Sequence, residues 1–132
     1  MSNKEFIKLP ESELEVMQAI WALDAEGEKS ISAGLIMKRF PSLTRLKLTT
    51  VLTLITRLQF KGFISAEKIR RANCYTPLID RDEYRRFVAE DFVERVYSGN
   101  RFALISALIE GGNLNEKETA ELKKLADALA EK

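Results

Sequence analysis

The chain has 132 residues, 45% of them apolar and 31% charged, with a net charge of +1, one cysteine (Cys74) and no histidine. That is enough apolar material for one buried core with a smaller appendage, while a single cysteine excludes an intrachain disulfide and the lack of histidine removes the usual zinc ligand sets and the commonest general base. No apolar stretch is long enough to span a bilayer and the N-terminus lacks a basic-then-apolar leader, so the expected location is the cytoplasm.

In chain order, Pro10-Glu-Ser-Glu-Leu-Glu15 predicts the start of a first helix. Ser12 and Glu15 have capping-box spacing, and an apolar stripe at Leu14, Met17 and Ile20 or Trp21 carries the helix to about Leu23. Asp24 to Lys29 reads as a polar connection. Ser32 is the expected N-cap of a short second helix that turns Leu35, Ile36 and Phe40 inward and stops at Pro41. After a turn over residues 41–46, a third helix is predicted from about Lys47 to Lys61, with Val51, Leu54, Ile55 and Leu58 at 3-and-4 spacing on its buried face and Gly62 in the left-handed position that ends it.

The opposite face of this third helix carries the functional reading. Thr49, Thr50, Thr53, Thr56 and Arg57 lie there, with Lys47 at the start and Arg45 just before it, and no acid among them. Solvated helix faces usually mix signs and favour Glu, Lys and Gln, whereas threonine is a mediocre helix former. Short hydroxyls and cations suit phosphate oxygens and base edges. The wider charge pattern agrees: residues 29–79 hold ten Lys or Arg against Glu67 alone, between segments that are net acidic. Such a placement suggests a face built for a polyanion.

Phe63 to Lys68 and Cys74 to Leu78 read as two strands joined by Ile69-Arg-Arg-Ala-Asn73, a hairpin with a basic tip. Helices followed by a basic hairpin give the order of a winged helix-turn-helix, in which the third helix enters the major groove and Lys68, Arg70 and Arg71 of the wing meet the backbone. The expected fold class is therefore mainly α with a small β-hairpin wing over residues 1–79, followed by a helical arm over residues 80–132. In that arm a long helix from Asp80 carries Tyr84, Phe87, Val88, Phe92 and Val96 on its apolar side and closes at Ser98-Gly99-Asn100. Phe102 to Ile109 forms a fifth helix. Asn115 and Glu118 cap a sixth, lined by Leu122, Leu125 and Leu129.

The arm's stripes could fold back on the first domain. A helical arm on a DNA-reading module more often pairs with its copy, so a homodimer through Phe92, Val96, Phe102, Ile105, Leu108, Leu122, Leu125 and Leu129 is the preferred expectation. The clustered carboxylates Asp80, Asp82 and Glu83, and Glu90 with Asp91, belong to a helix start and a polar helix face. With no glycine-rich phosphate loop or nucleophile elbow either, neither an enzyme nor a cofactor or metal is expected. Two other readings fit the same residues: a winged-helix protein-interaction module, or a small-ligand-responsive regulator using Tyr84, Phe87, Phe92 and Phe102.

Leu9-Pro-Glu-Ser-Glu-Leu-Glu-Val-Met17 with Ile20-Trp21, Thr53-Leu-Ile-Thr-Arg-Leu58, Lys61-Gly-Phe-Ile64, Tyr75-Thr-Pro-Leu78 and Asp82-Glu-Tyr84 closely resemble the penicillinase and methicillin-resistance repressor family of the BlaI/MecI/CopY type. The resemblance runs from Leu9 into the last helix, and it implies a dimeric winged-helix repressor on a palindromic double-stranded DNA operator. For the antibiotic-responsive members it also implies an upstream membrane sensor whose signal leads to proteolysis at an Asn-Phe bond, where this chain aligns Ala107-Leu108. Where the family has Trp-Ser-Pro-Lys-Thr and then an arginine, this chain has Leu46-Lys-Leu-Thr-Thr50 and then Leu52, so a different operator preference is expected. No cysteine follows Cys74, which leaves out the paired-cysteine copper motif of the copper-responsive members.

Overall fold

The computed structural model describes residues 7–130, with side chains as far as residue 128. Its elements run α1 (Glu11–Ala25), α2 (Ala33–Arg39), a 3-10 turn (Pro41–Arg45), α3 (Leu48–Phe60), β1 (Ile64–Ile69), β2 (Ala72–Pro77), α4 (Arg81–Tyr97), α5 (Arg101–Glu110) and α6 (Glu116–Ala130). They form two compact units that divide inside α4, at Arg85 and Arg86.

The first unit is built on α1, which packs against α3, β2 and α2. Val16, Met17, Ile20 and Leu23 of α1 meet a core completed by Ile36, Leu43, Val51, Ile55, Leu58, Phe63 and Ile64, all almost wholly buried. The four residues expected on the inner face of α3, Val51, Leu54, Ile55 and Leu58, are its buried residues. Each contributes about 2 kcal/mol through removal of its side chain from water. Ser32 caps α2 by accepting from Leu35 N at 3.2 Å, and Ile36 is buried while Leu35 and Phe40 are half-buried. Gly62 has φ +80° and ends α3 as expected. Tyr84 ties the start of α4 into this unit: its hydroxyl accepts from Leu9 N at 2.7 Å, and its ring lies 5.6 Å from those of Trp21 and Phe63. Trp21 Nε1 donates to Ile79 O at 2.8 Å.

Two local expectations need correction. Helix α1 starts at Glu11 behind Pro10, with no side-chain cap, so Ser12 sits inside the first turn and the Ser12–Glu15 capping box does not form. Glu15 turns instead to Arg45. The first strand lies one residue later than expected, the second starts two residues earlier, and the connection is shorter: Ile69 pairs with Ala72, leaving only Arg70 and Arg71 in the turn. Both have positive φ, 51° and 71°, the geometry of a two-residue turn usually made by Asn-Gly.

In the second unit the apolar side of α4 stands largely open. Past Arg85, Val93 is the buried residue of α4, while Phe92 and Val96 are 42% and 60% exposed. The expected Asn115–Glu118 box forms, and two further caps accompany it. Asp80 Oδ2 accepts from Asp82 N and Glu83 N, Asn100 caps α5 through Ala103 N, and Asn115 and Glu118 bond reciprocally at 2.8 and 3.1 Å before α6. Among the described residues no side chain beyond Val93 is buried. Leu129 falls outside the described side chains.

Candidate nucleic-acid interface

Burying four residues of α3 forces its remaining face outward, and sequence decides what that face offers. Arg45, Lys47, Thr49, Thr50, Thr53 and Arg57 are all exposed, as are Lys68, Arg70 and Arg71 on the hairpin. None of the thirteen residues of α3 is acidic.

Ion pairs sort the ten cations of residues 29–79. Arg39 pairs with Glu26 and Glu28, Lys61 with the buried carboxylate of Glu13, and Arg45 with Glu15 through two bonds of 2.6 and 2.8 Å, with a third to Ser42 O. The Arg45 hydrogen bond holds the Glu15 carboxyl below its ordinary value, and the same contact raises the Arg45 guanidinium. These three cations brace α2, the 3-10 turn and the end of α3 against acids of α1 and of the α1–α2 connection. The other seven, Lys29, Lys38, Lys47, Arg57, Lys68, Arg70 and Arg71, have no ion pair among the described residues. Of the nine residues expected to bind, Arg45 is thus the one whose charge is already engaged.

The threonines also divide. Thr53 Oγ1 donates to Thr49 O and Thr56 Oγ1 to Leu52 O, each at 2.9 Å. A hydroxyl has one proton, so both side chains can still accept but no longer donate without breaking that bond. Three apolar neighbours share the outward surface: Leu48 is 50% exposed, Leu52 38% and Phe60 92%. In the sequence Leu52 stands out only where the family has an arginine, and nothing singles out Leu48 or Phe60 as functional. Helical spacing from the buried stripe places all three outside it, and that signal is sufficient to find them.

The carboxylate clusters are engaged elsewhere. Asp80 caps α4, Asp91 pairs with Arg95 at 2.8 Å, Glu90 with Arg101 at 2.5 Å and Asp82 with Arg85 at 3.8 Å. Tyr84, one of the aromatics expected to line a ligand cavity, is spent on Leu9, Trp21 and Phe63. Among the described residues no helix is long and apolar enough to cross a membrane.

Three helices closed by an antiparallel hairpin, with an acid-free outer face on α3 and two arginines at the hairpin tip, define a winged helix-turn-helix. A family model described as penicillinase repressor matches residues 9–128. The chain belongs to that family, one of repressors and not of enzymes. It is 30% identical to the penicillinase repressor of Staphylococcus aureus over 132 residues, covering 100% of both chains. It is 30% identical to the methicillin resistance regulatory protein MecI of Mammaliicoccus sciuri, over 95% of this chain and 97% of that one, and 27% identical to the penicillinase repressor of Bacillus licheniformis, over 94% and 93%. Among solved structures, the solution structure of the DNA-binding domain of the repressor BlaI is 31% identical, with a TM-score of 0.49 over 61% of this chain and 93% of that chain.

Proposed function

We propose that this chain is a homodimeric transcriptional repressor that seats α3 in the major groove of a palindromic operator, lays the β1–β2 wing along the phosphate backbone, and dimerises through the helices after Arg85. The sorting of cations carries this reading. Acids of α1 and of the α1–α2 connection engage Arg39, Arg45 and Lys61, and the cations left unpaired on α3 and the wing are the ones a winged helix offers to DNA. Membership in a repressor family supports the same direction. The exposed Phe92, Val96, Phe102, Leu108 and Leu125 support pairing of the arm with a second copy.

The test is a mobility-shift titration with duplexes from the DNA flanking the gene, run from 50 to 200 mM salt. Binding through six to ten phosphates loses roughly 10³- to 10⁵-fold in affinity over that range. No shift at 50 mM salt, or a shift indifferent to salt, rejects the reading.

A further inference from the structure

We infer that the centre of the α3 face reads thymine methyl groups, with Leu52, Thr53 and Thr56 as its specificity-determining side chains. This rests on α3 entering the major groove. In that groove most base-edge features are hydrogen-bond donors or acceptors, and the thymine 5-methyl is the one apolar feature. A helix that reads guanine needs Arg or Lys, and one that reads adenine bidentately needs Asn or Gln. The middle of α3 carries neither.

What it carries instead is apolar or turned away. Leu52 is 38% exposed on the outward surface, with Leu48 one turn before it. Thr53 and Thr56 donate their hydroxyl protons to carbonyls of their own helix. Each therefore offers a methyl group and an acceptor oxygen, neither of which suits a phosphate oxygen or the acceptors of guanine. The cations of α3 sit at its margins, Lys47 before the first turn and Arg57 in the last. Charge thus flanks a methyl-rich centre, an arrangement that anchors the backbone at both ends and meets methyl groups between.

The probe is a duplex enriched from a randomised 30-base-pair pool by the full chain, then resynthesised with single thymines replaced by deoxyuracil. That change removes only the methyl group and keeps every hydrogen-bonding atom. Each contacted methyl contributes about fourfold in affinity, so two or three thymines per half-site are expected to show losses of that size while the salt dependence is unchanged. In the Leu52→Ala variant, and in Thr53→Ser with Thr56→Ser, the preference for thymine over deoxyuracil shrinks toward one at the matching positions. These side chains are exposed, and melting curves check that the variants fold. Deoxyuracil duplexes bound as tightly as thymine duplexes overturn the inference and leave DNA binding standing. A preference that persists in both variants overturns its assignment to α3. A pool from which nothing is enriched, with no shift on any duplex at low salt, rejects the DNA-binding reading and this inference together.

Discussion

Lys61 and Arg45 both pair with a carboxylate of α1, yet burial makes the two pairs unequal. Glu13 keeps 4% of its side-chain exposure and Lys61 25%, whereas Arg45 and Glu15 keep 56% and 30%. Removing one partner of a buried pair leaves an uncompensated charge in the core, while an exposed pair gains little over water. Lys61→Ala should therefore lower stability by about 2–3 kcal/mol and Arg45→Ala by less than about 1 kcal/mol. Urea unfolding at fixed protein concentration measures both, and equal losses would show that Lys61 does not serve Glu13 in this way. Glu15 adds a pH dependence. Its folded-state carboxyl lies below its ordinary value, chiefly through the Arg45 hydrogen bond, so its contribution is present above the unfolded value of about 4.3 and fades as pH falls through the folded one. Melting temperatures between pH 6 and pH 3 should fall less steeply in Glu15→Gln, and parallel curves would reject the linkage. Neither pair was legible in the sequence. Local spacing assigns Glu15 to Ser12, and the partner that wins lies thirty residues on, visible only once α1 and the 3-10 turn are packed together.

At the scale of elements, α3 was the most legible because one periodicity fixed its buried stripe, its outward face and its end at Gly62. The hairpin was less so. Arg70 and Arg71 carry no glycine or asparagine signal for a two-residue turn, and the sequence therefore reads as a five-residue connection. In α4 the spacing marks Phe92 and Val96 as apolar-side residues, and Val93 between them is the one the chain itself buries, since a helix with apolar residues on several sides does not say which side a partner covers. The turn makes its own prediction. Two non-glycine residues at φ 51° and 71° hold strain of about 1–2 kcal/mol each, which the wing retains while presenting two guanidiniums at one tip. The double substitution Arg70→Asn, Arg71→Gly should raise stability by about 1–2 kcal/mol in thermal unfolding. The same protein should bind DNA more weakly, its salt slope shallower by about one unit for each phosphate that the wing no longer neutralises. Unchanged affinity with raised stability would show that the arginines serve the turn alone.

The whole molecule is divided between a unit that completes its own core and one that, among the described residues, buries little of its own apolar surface. The first buries side chains from α1 through β2 and Tyr84. The second has Val93 buried, and beyond it Phe102, Leu108 and Leu125 stand 43%, 49% and 60% exposed, with Ile105 and Leu122 half-buried. The sequence marks these residues as apolar faces, and cannot say whether they fold back or meet a second chain, because periodicity records that a face is buried and not what buries it. If the faces meet a copy, charge placed on them should break the pair and leave the first unit's core as it is. Leu108→Glu with Leu125→Glu should sediment as a 15.0 kDa monomer, with the hydrogen-exchange protection of α1 and α3 retained. Two half-sites held at once multiply affinity by roughly 10²- to 10⁴-fold over one, so the same variant should lose at least about 100-fold on a two-fold-symmetric operator and almost nothing on an isolated half-site. Sedimentation velocity and mobility shifts on both duplexes measure this together. A variant that stays dimeric places the interface elsewhere, and one that is monomeric yet binds the full operator undiminished separates dimerisation from DNA binding.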